Sequence, residues 1–153
     1  MSTPYALTTE IVNGVAVITL DLPGSPVNKF NRALKDEFVA LFDRLERDLN
    51  VKAAVLLSGK KDSWIAGADI EEFLELKSAA EAERLSHEGH LLLDSIHEMR
   101  TPLICAIHGA CMGGALELSL AAQHQNGTLN ANVIDIMQLL SYSVFFCALL
   151  FFA

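Results

Sequence analysis

Apolar residues recur along this chain in two rhythms. Between Thr8 and Leu20 they alternate on either side of Asn13-Gly14, a dipeptide suited to a two-residue hairpin turn. Val15, Val17 and Thr19 fall on one face of the second strand, and Ala16, Ile18 and Leu20 on the other. Both faces are therefore expected to be partly covered. Pro23, Gly24 and Pro26 then force a loop. Leu34, Phe38, Leu41, Phe42 and Leu45 follow at helical spacing, which predicts an amphipathic helix over 31–50 with Asn31 as its N-cap. "KAAVLLSG" reads as a short strand covered on both faces, and Gly59 to Asp62 as a loop. Asp69 with Glu72 three residues on has the spacing of an N-cap and its third-position carboxylate, so a helix should start there. A long helix over 79–99 places Leu85, Leu92, Ile96 and Met99 on one side and ends at Thr101-Pro102. "LICAIHGA" is a further buried strand, and Gly113-Gly114 opens another helix. Strands and helices in this alternation predict an α/β fold with crossover connections.

At 153 residues the chain fits one domain with a real core. Its net charge of −8 argues against a nucleic-acid partner, since such proteins carry a basic patch. An anionic ligand is still compatible, because backbone N–H groups can hold one. Cys105, Cys111 and Cys147 show no metal-site or paired spacing and read as buried or free thiols in a reducing compartment. His87 and His90 can share a helix face, but no third ligand is spaced to join them, so no metal is expected. "MSTPYALTTE" lacks the pattern of a secretory signal. Charge is uneven: after Glu117 the only charged residue is Asp135, and Phe145, Phe146, Phe151 and Phe152 crowd the end.

Two small-residue turns carry the candidate chemistry. "IAGADIEEF" and "MGGALEL" each precede a predicted helix start. The first N–H groups of a helix point outward at the positive end of its dipole, and glycine lets an oxygen approach the backbone closely. That is the requirement of an oxyanion hole. Glu117 stands alone among Leu116, Leu118, Leu120, Ala121 and Ala122. Burial and the helix terminus act on such a carboxylate in opposite directions, which makes it a candidate general acid or base. Taken singly, each feature reads as structure: a plain turn, a cap or a dipole-paired acid. "GGALE" is neither a phosphate loop nor a dinucleotide fingerprint.

Together, "GVAVITLDLPGSPVNKFN", "AAVLLSGKKDSWIAGADI" and "TPLICAIHGACMGGALEL" resemble, in that order, the crotonase (enoyl-CoA hydratase/isomerase) superfamily, over about Tyr5 to Ala122. Within it, "SPVNKFN" and "WIAGADIEEF" are most similar to the N-terminal hydratase/isomerase part of multifunctional fatty-acid oxidation α-subunits. The resemblance implies the N-terminal portion of a ββα spiral acting on an acyl-CoA thioester in β-oxidation. It places the oxyanion donors at the amides of Ala68 and Gly114, and Glu117 at the first of two catalytic glutamates. It puts the coenzyme A nucleotide along Ala66, Gly67, Ala68, Asp69, Ile70 and Glu71, with Gly113 beside it and Asn28 and Phe30 near the pantetheine arm. Coenzyme A is then part of the substrate, and no separate cofactor is implied. Bacterial cytoplasm or mitochondrial matrix is the implied location. A homo-oligomer or a thiolase subunit is the implied partner of a full-length chain.

The resemblance has a limit. The second glutamate should come later, in a Pro-Glu segment, yet the sequence has no proline after Pro102 and no glutamate after Glu117. The expected division is therefore a partial crotonase-like domain over 1–122 and a non-family apolar tail over 123–153. A frameshift, a fragmentary gene or a membrane contact through 137–153 are the readings of that tail. The alternative to an enzyme is a catalytically incomplete acyl-CoA-binding or interaction fragment.

Overall fold

The computed structural model describes residues 5–122 and the backbone of 124–127. Strands β1 (Leu7–Val12) and β2 (Val15–Leu20) form the expected hairpin, antiparallel and joined where Val12 faces Val15. Asn13 and Gly14 turn it with φ of 53° and 82°. Helix α1 (Arg32–Arg47) follows, then β3 (Ala53–Ser58), β4 (Ser63–Ile65), α2 (Ile70–Leu74), α3 (Ala79–His97), β5 (Leu103–Ile107), β6 (Ala110–Cys111), α4 (Gly114–Ala121) and β7 (His124–Gly127). The main sheet runs β1-β2-β3-β5-β7, parallel beyond the hairpin, and β4 pairs with β6 in a separate parallel sheet.

Period-two alternation sets the core. Ala16, Ala54 and Leu103 stand in register, as do Ile18, Leu56 and Cys105, and all are buried. The intervening Val15, Val17, Thr19, Val55 and Leu57 are half-buried, so both sheet faces are covered as the alternation predicted. The apolar stripe of α1 buries all five expected residues, Leu34, Phe38, Leu41, Phe42 and Leu45. Asn31 caps that helix by accepting from the Leu34 amide at 2.8 Å. Phe38 links the ring of Phe30 to that of Phe42, with centroids 5.8 and 5.3 Å away.

Several expectations change. Asp69 accepts from the Glu71 amide at 3.2 Å, but Glu72 does not return the bond to the cap. Its carboxylate instead accepts from the Arg32 amide at 3.0 Å and ties α2 to the start of α1. Leu85 is half-buried, while Leu92, Ile96 and Met99 are buried as expected. "LICAIHGA" is two strands rather than one. Gly109, at φ 65°, breaks it by packing against the backbone of Asp62 and Ser63, where no Cβ fits. β4 lies just past the expected 59–62 loop, in residues that carry no period of their own. The expected tail contact through 137–153, like Asp135 and Cys147, lies outside the described residues. No helix among the described residues is long and apolar enough to cross a membrane.

Candidate active site

The small sheet is what brings the two turns together. Ser63 pairs with Ala110 and Ile65 with Cys111, and the Met112 amide continues the ladder by donating to the Ile65 carbonyl at 3.3 Å. The chain leaves β4 into Ala66-Gly67-Ala68 and leaves β6 into Met112-Gly113-Gly114. These exits therefore lie side by side. A Cβ on Gly67 would stand 2.9 Å from the Met112 carbonyl oxygen, and one on Gly113 4.0 Å from the Gly67 Cα. Both glycines hold positive φ, 111° and 54°. A side chain at either would be strained, and at Gly67 it would also collide with backbone.

A third segment locks onto the first turn. Ala66 donates to Asn28 O at 2.8 Å, Phe30 donates to Gly67 O at 2.8 Å, and Asp69 donates to Phe30 O at 2.7 Å. Phe30 and Ala68 thus form an isolated parallel bridge. The Phe30 ring reaches the second turn, because a Cβ on Gly114 would lie 3.7 Å from its Cδ2. Residues 28–30, 66–69 and 112–114, expected to share one site, are brought to one place.

Amide direction follows from peptide planarity. In a trans peptide the N–H points opposite to the preceding carbonyl. The Gly67 carbonyl is held by Phe30, so the Ala68 N–H points away from Phe30. The Gly113 carbonyl accepts from Leu116 at 2.9 Å and Glu117 at 3.2 Å, so the Gly114 N–H points out of the N-terminus of α4. Among the described residues the amides of Gly67, Ala68, Ile70, Gly113 and Gly114 donate to nothing, while those of Ala66, Asp69, Met112 and Ala115 are engaged. Ala68 is exposed and Gly114 half-buried.

Glu117 sits in the first turn of α4, half-buried, with no side-chain hydrogen bond or ion pair among the described residues. Asn28 is different. It is fully buried, and its amide group is saturated: Oδ1 accepts from the Leu22 amide at 2.9 Å. Nδ2 lies 2.9 Å from Leu20 O, 2.9 Å from Ser58 Oγ and 3.1 Å from Trp64 O. This side chain knots the ends of β2, β3 and β4 beneath the site and has no polar atom left for a ligand.

Lys29 is the charged neighbour that the sequence did not single out. Its Nζ lies 2.8 Å from Asp69 Oδ2 and 3.5 Å from Glu71 Oε2. The hydrogen bond to Asp69 raises the lysine's pKa, and the same bond lowers that of Asp69. A lone lysine in a loop gives no sequence signal for such a pairing. No cluster of histidine, cysteine, aspartate and glutamate fit for a metal occurs among the described residues.

Residues 10–132 match the enoyl-CoA hydratase/isomerase family. The chain belongs to that family. The match and the main sheet both run past residue 122. The fatty acid oxidation complex subunit alpha of Idiomarina loihiensis is 43% identical over 122 residues, covering 79% of this chain and 17% of the relative. The same subunit from Shewanella oneidensis is 40% identical over 113 residues, 74% of this chain and 16% of the relative. The chain spans about a sixth of the length of these curated relatives. The crystal structure of an enoyl-CoA hydratase/isomerase from Xanthobacter autotrophicus superposes with a TM-score of 0.72 at 26% identity, covering 80% of this chain and 46% of that one. The α/β crotonase fold expected from the sequence is the fold of this enoyl-CoA hydratase/isomerase family chain.

Proposed function

We propose that this chain binds an acyl-CoA thioester and polarises its carbonyl between the amides of Ala68 and Gly114, as a hydratase/isomerase-type domain of fatty-acid β-oxidation. The observation that carries this reading is the contact of Gly67 with Met112 and Gly113, which sets two unpaired, outward-aimed N–H groups on adjoining turns. Negative charge developing on the thioester oxygen would meet both donors without reorganisation, and removing one such donor typically costs about 10²–10³ in rate. Glu117, one turn further along α4, is the acid/base. It would orient water toward the β-carbon of an enoyl thioester and take its proton as the C–O bond forms, the amides would hold the resulting enolate, and the Glu117 carboxyl would return that proton to the α-carbon. Ala66, Ile70 and Glu71 are the proposed flank for the nucleotide. Coenzyme A is substrate, and no separate cofactor is needed.

The second reading is an acyl-CoA-binding fragment with half its acid/base pair. It is favoured by the absence of any glutamate after Glu117 in the 153 residues. On this reading the tail proposed for 123–153 departs from the family body only beyond residue 132, where the match ends. The relatives' names point to a multifunctional complex, so a thiolase subunit or a second copy is the proposed partner of a full-length chain. Their bacterial sources favour the bacterial cytoplasm over the mitochondrial matrix.

The test is hydration of a short trans-2-enoyl-CoA by the purified 153-residue chain. We expect thioester binding with little or no hydration. Robust hydration abolished by Glu117→Gln would show that one glutamate suffices, and absence of thioester binding would end both readings.

A further inference from the structure

We propose that Lys29 and Asp69 are positioning residues: their ion pair fixes the 67–68 peptide plane and so aims the Ala68 amide into the oxyanion site. The inference rests on the thioester reading above and adds to it what holds the donor in place.

The main-chain tether at this point is short. Phe30 and Ala68 form an isolated bridge, carried by the bonds Phe30 N–H to Gly67 O and Asp69 N–H to Phe30 O, with Ala66 N–H to Asn28 O before it. Ala68 itself is exposed, and α2 beyond it buries none of its residues. Backbone with so few buried contacts opens locally at low free energy. A peptide plane held by one carbonyl bond can then rotate about its flanking torsions and carry its N–H with it.

The side chains supply the missing constraint. Lys29 precedes Phe30, and Asp69 follows Ala68, so their ion pair closes the same loop from the flank. Asp69 is 8% exposed, and its carboxylate divides between two tasks. Oδ1 caps α2 at the Glu71 amide, and Oδ2 meets Lys29 at 2.8 Å. A carboxylate this enclosed needs its partner. Glu71 adds a second negative group at 3.5 Å from the lysine. Lys29 is thereby committed to the protein and is not a free cation for the phosphates of coenzyme A. The arrangement ties 28–30 to 66–71 on both sides of the Ala68 amide.

The test uses a chromophoric thioester, 4-(dimethylamino)cinnamoyl-CoA, whose absorption moves to the red as its carbonyl is polarised. The variants are Lys29→Met, Lys29→Arg and Asp69→Asn, with the Lys29→Met/Asp69→Asn pair. Asparagine still caps α2, so Asp69→Asn removes the ion pair and leaves the cap. At saturating ligand, the methionine and asparagine variants should lose half or more of the red shift, while in Lys29→Met Kd changes by no more than about threefold. The double variant should lose no more than either single one, and Lys29→Arg should keep the shift. In the ligand-free protein, amide exchange at Asp69 should accelerate by about tenfold in the two single variants as the bridge opens more often. A full red shift in saturated Lys29→Met and Asp69→Asn would overturn the proposal. So would weakened binding with the shift intact, which marks Lys29 as a ligand contact. If the unaltered protein binds no thioester, the functional reading fails. The exchange result then stands alone: unchanged Asp69 exchange overturns the clamp as well, and faster exchange retains it as a backbone device.

Discussion

Gly67 faces the carbonyl oxygen of Met112 so closely that a Cβ would stand 2.9 Å from it, with φ at 111°. Neither residue's identity is chemical; the contact exists because β4 and β6 end together. Gly67→Ala should therefore cost about 2–3 kcal/mol, from left-handed strain added to a backbone collision. Gly89→Ala is the control. That glycine lies in α3 with nothing within 4 Å of an added Cβ, and alanine there should stabilise by about 0.5–1 kcal/mol. Denaturant midpoints of the two variants check the opposite signs.

The Asn28 side chain spends its hydrogen bonds on the fold. Asn28→Ala takes a partner from Leu22 N and Trp64 O, while Leu20 O keeps the Gly59 amide and Ser58 Oγ keeps Ser63 O and the Lys60 amide. A loss of about 2–4 kcal/mol is expected, since each unsatisfied buried group costs about 1–3 kcal/mol and water recovers part of it. Equal stability of Asn28→Ala and the unaltered protein in urea would contradict the knot.

Glu46 joins the end of α1 to the start of β5. Its carboxylate accepts from Arg100 N at 3.1 Å and Thr101 N at 2.7 Å. Burial opposes its ionisation, but the Thr101 and Arg100 amides outweigh that, and its pKa lies below the ordinary value of 4.5. A lowered folded pKa stabilises the fold above the unfolded value and ceases to do so as pH falls through the folded one. Stability of Glu46→Gln should thus trail the unaltered protein at neutral pH and converge with it on acidification below 4.5. Parallel melting curves across that range would contradict this.

The thiols of Cys105 and Cys111 are pushed up to about 12 and about 11 by burial, with the Cys105 shift increased by Cys111 and the Cys111 shift opposed by a Ser119 hydrogen bond. Thiolate is the reactive form. In a Cys147→Ser background, which removes the cysteine outside the described residues, a disulfide reagent at pH 8 should modify neither thiol until the protein unfolds. Fast labelling of the folded protein would refute their burial.

What the sequence shows and what it hides divide along physical lines. The α1 stripe, the β1–β2 turn and the alternation in β2 and β3 are local patterns, and each is legible because one residue's neighbours in space are set by spacing alone. The two glycine turns are legible as turns. Their convergence is expected from the family resemblance but not from spacing alone, because it depends on β4 and β6, strands of three and two residues with no period to detect. The same holds for Glu72, whose spacing to Asp69 describes a cap but whose carboxylate finds Arg32, forty positions away in sequence. Asn28 and Lys29 are adjacent in the chain and opposite in role, one buried and saturated, the other paired at the site's edge. Only the fold around them separates these roles.

The most direct test of the central claim is the carbonyl resonance of a ¹³C-labelled saturated acyl-CoA bound to the 153-residue chain. A saturated thioester cannot be hydrated, so the measurement is independent of any second glutamate. If the Ala68 and Gly114 amides converge on the thioester oxygen, the carbonyl carbon shifts downfield on binding and the amide resonances of Ala68 and Gly114 move with it. A bound thioester whose carbonyl resonance stays at its free position would contradict the account.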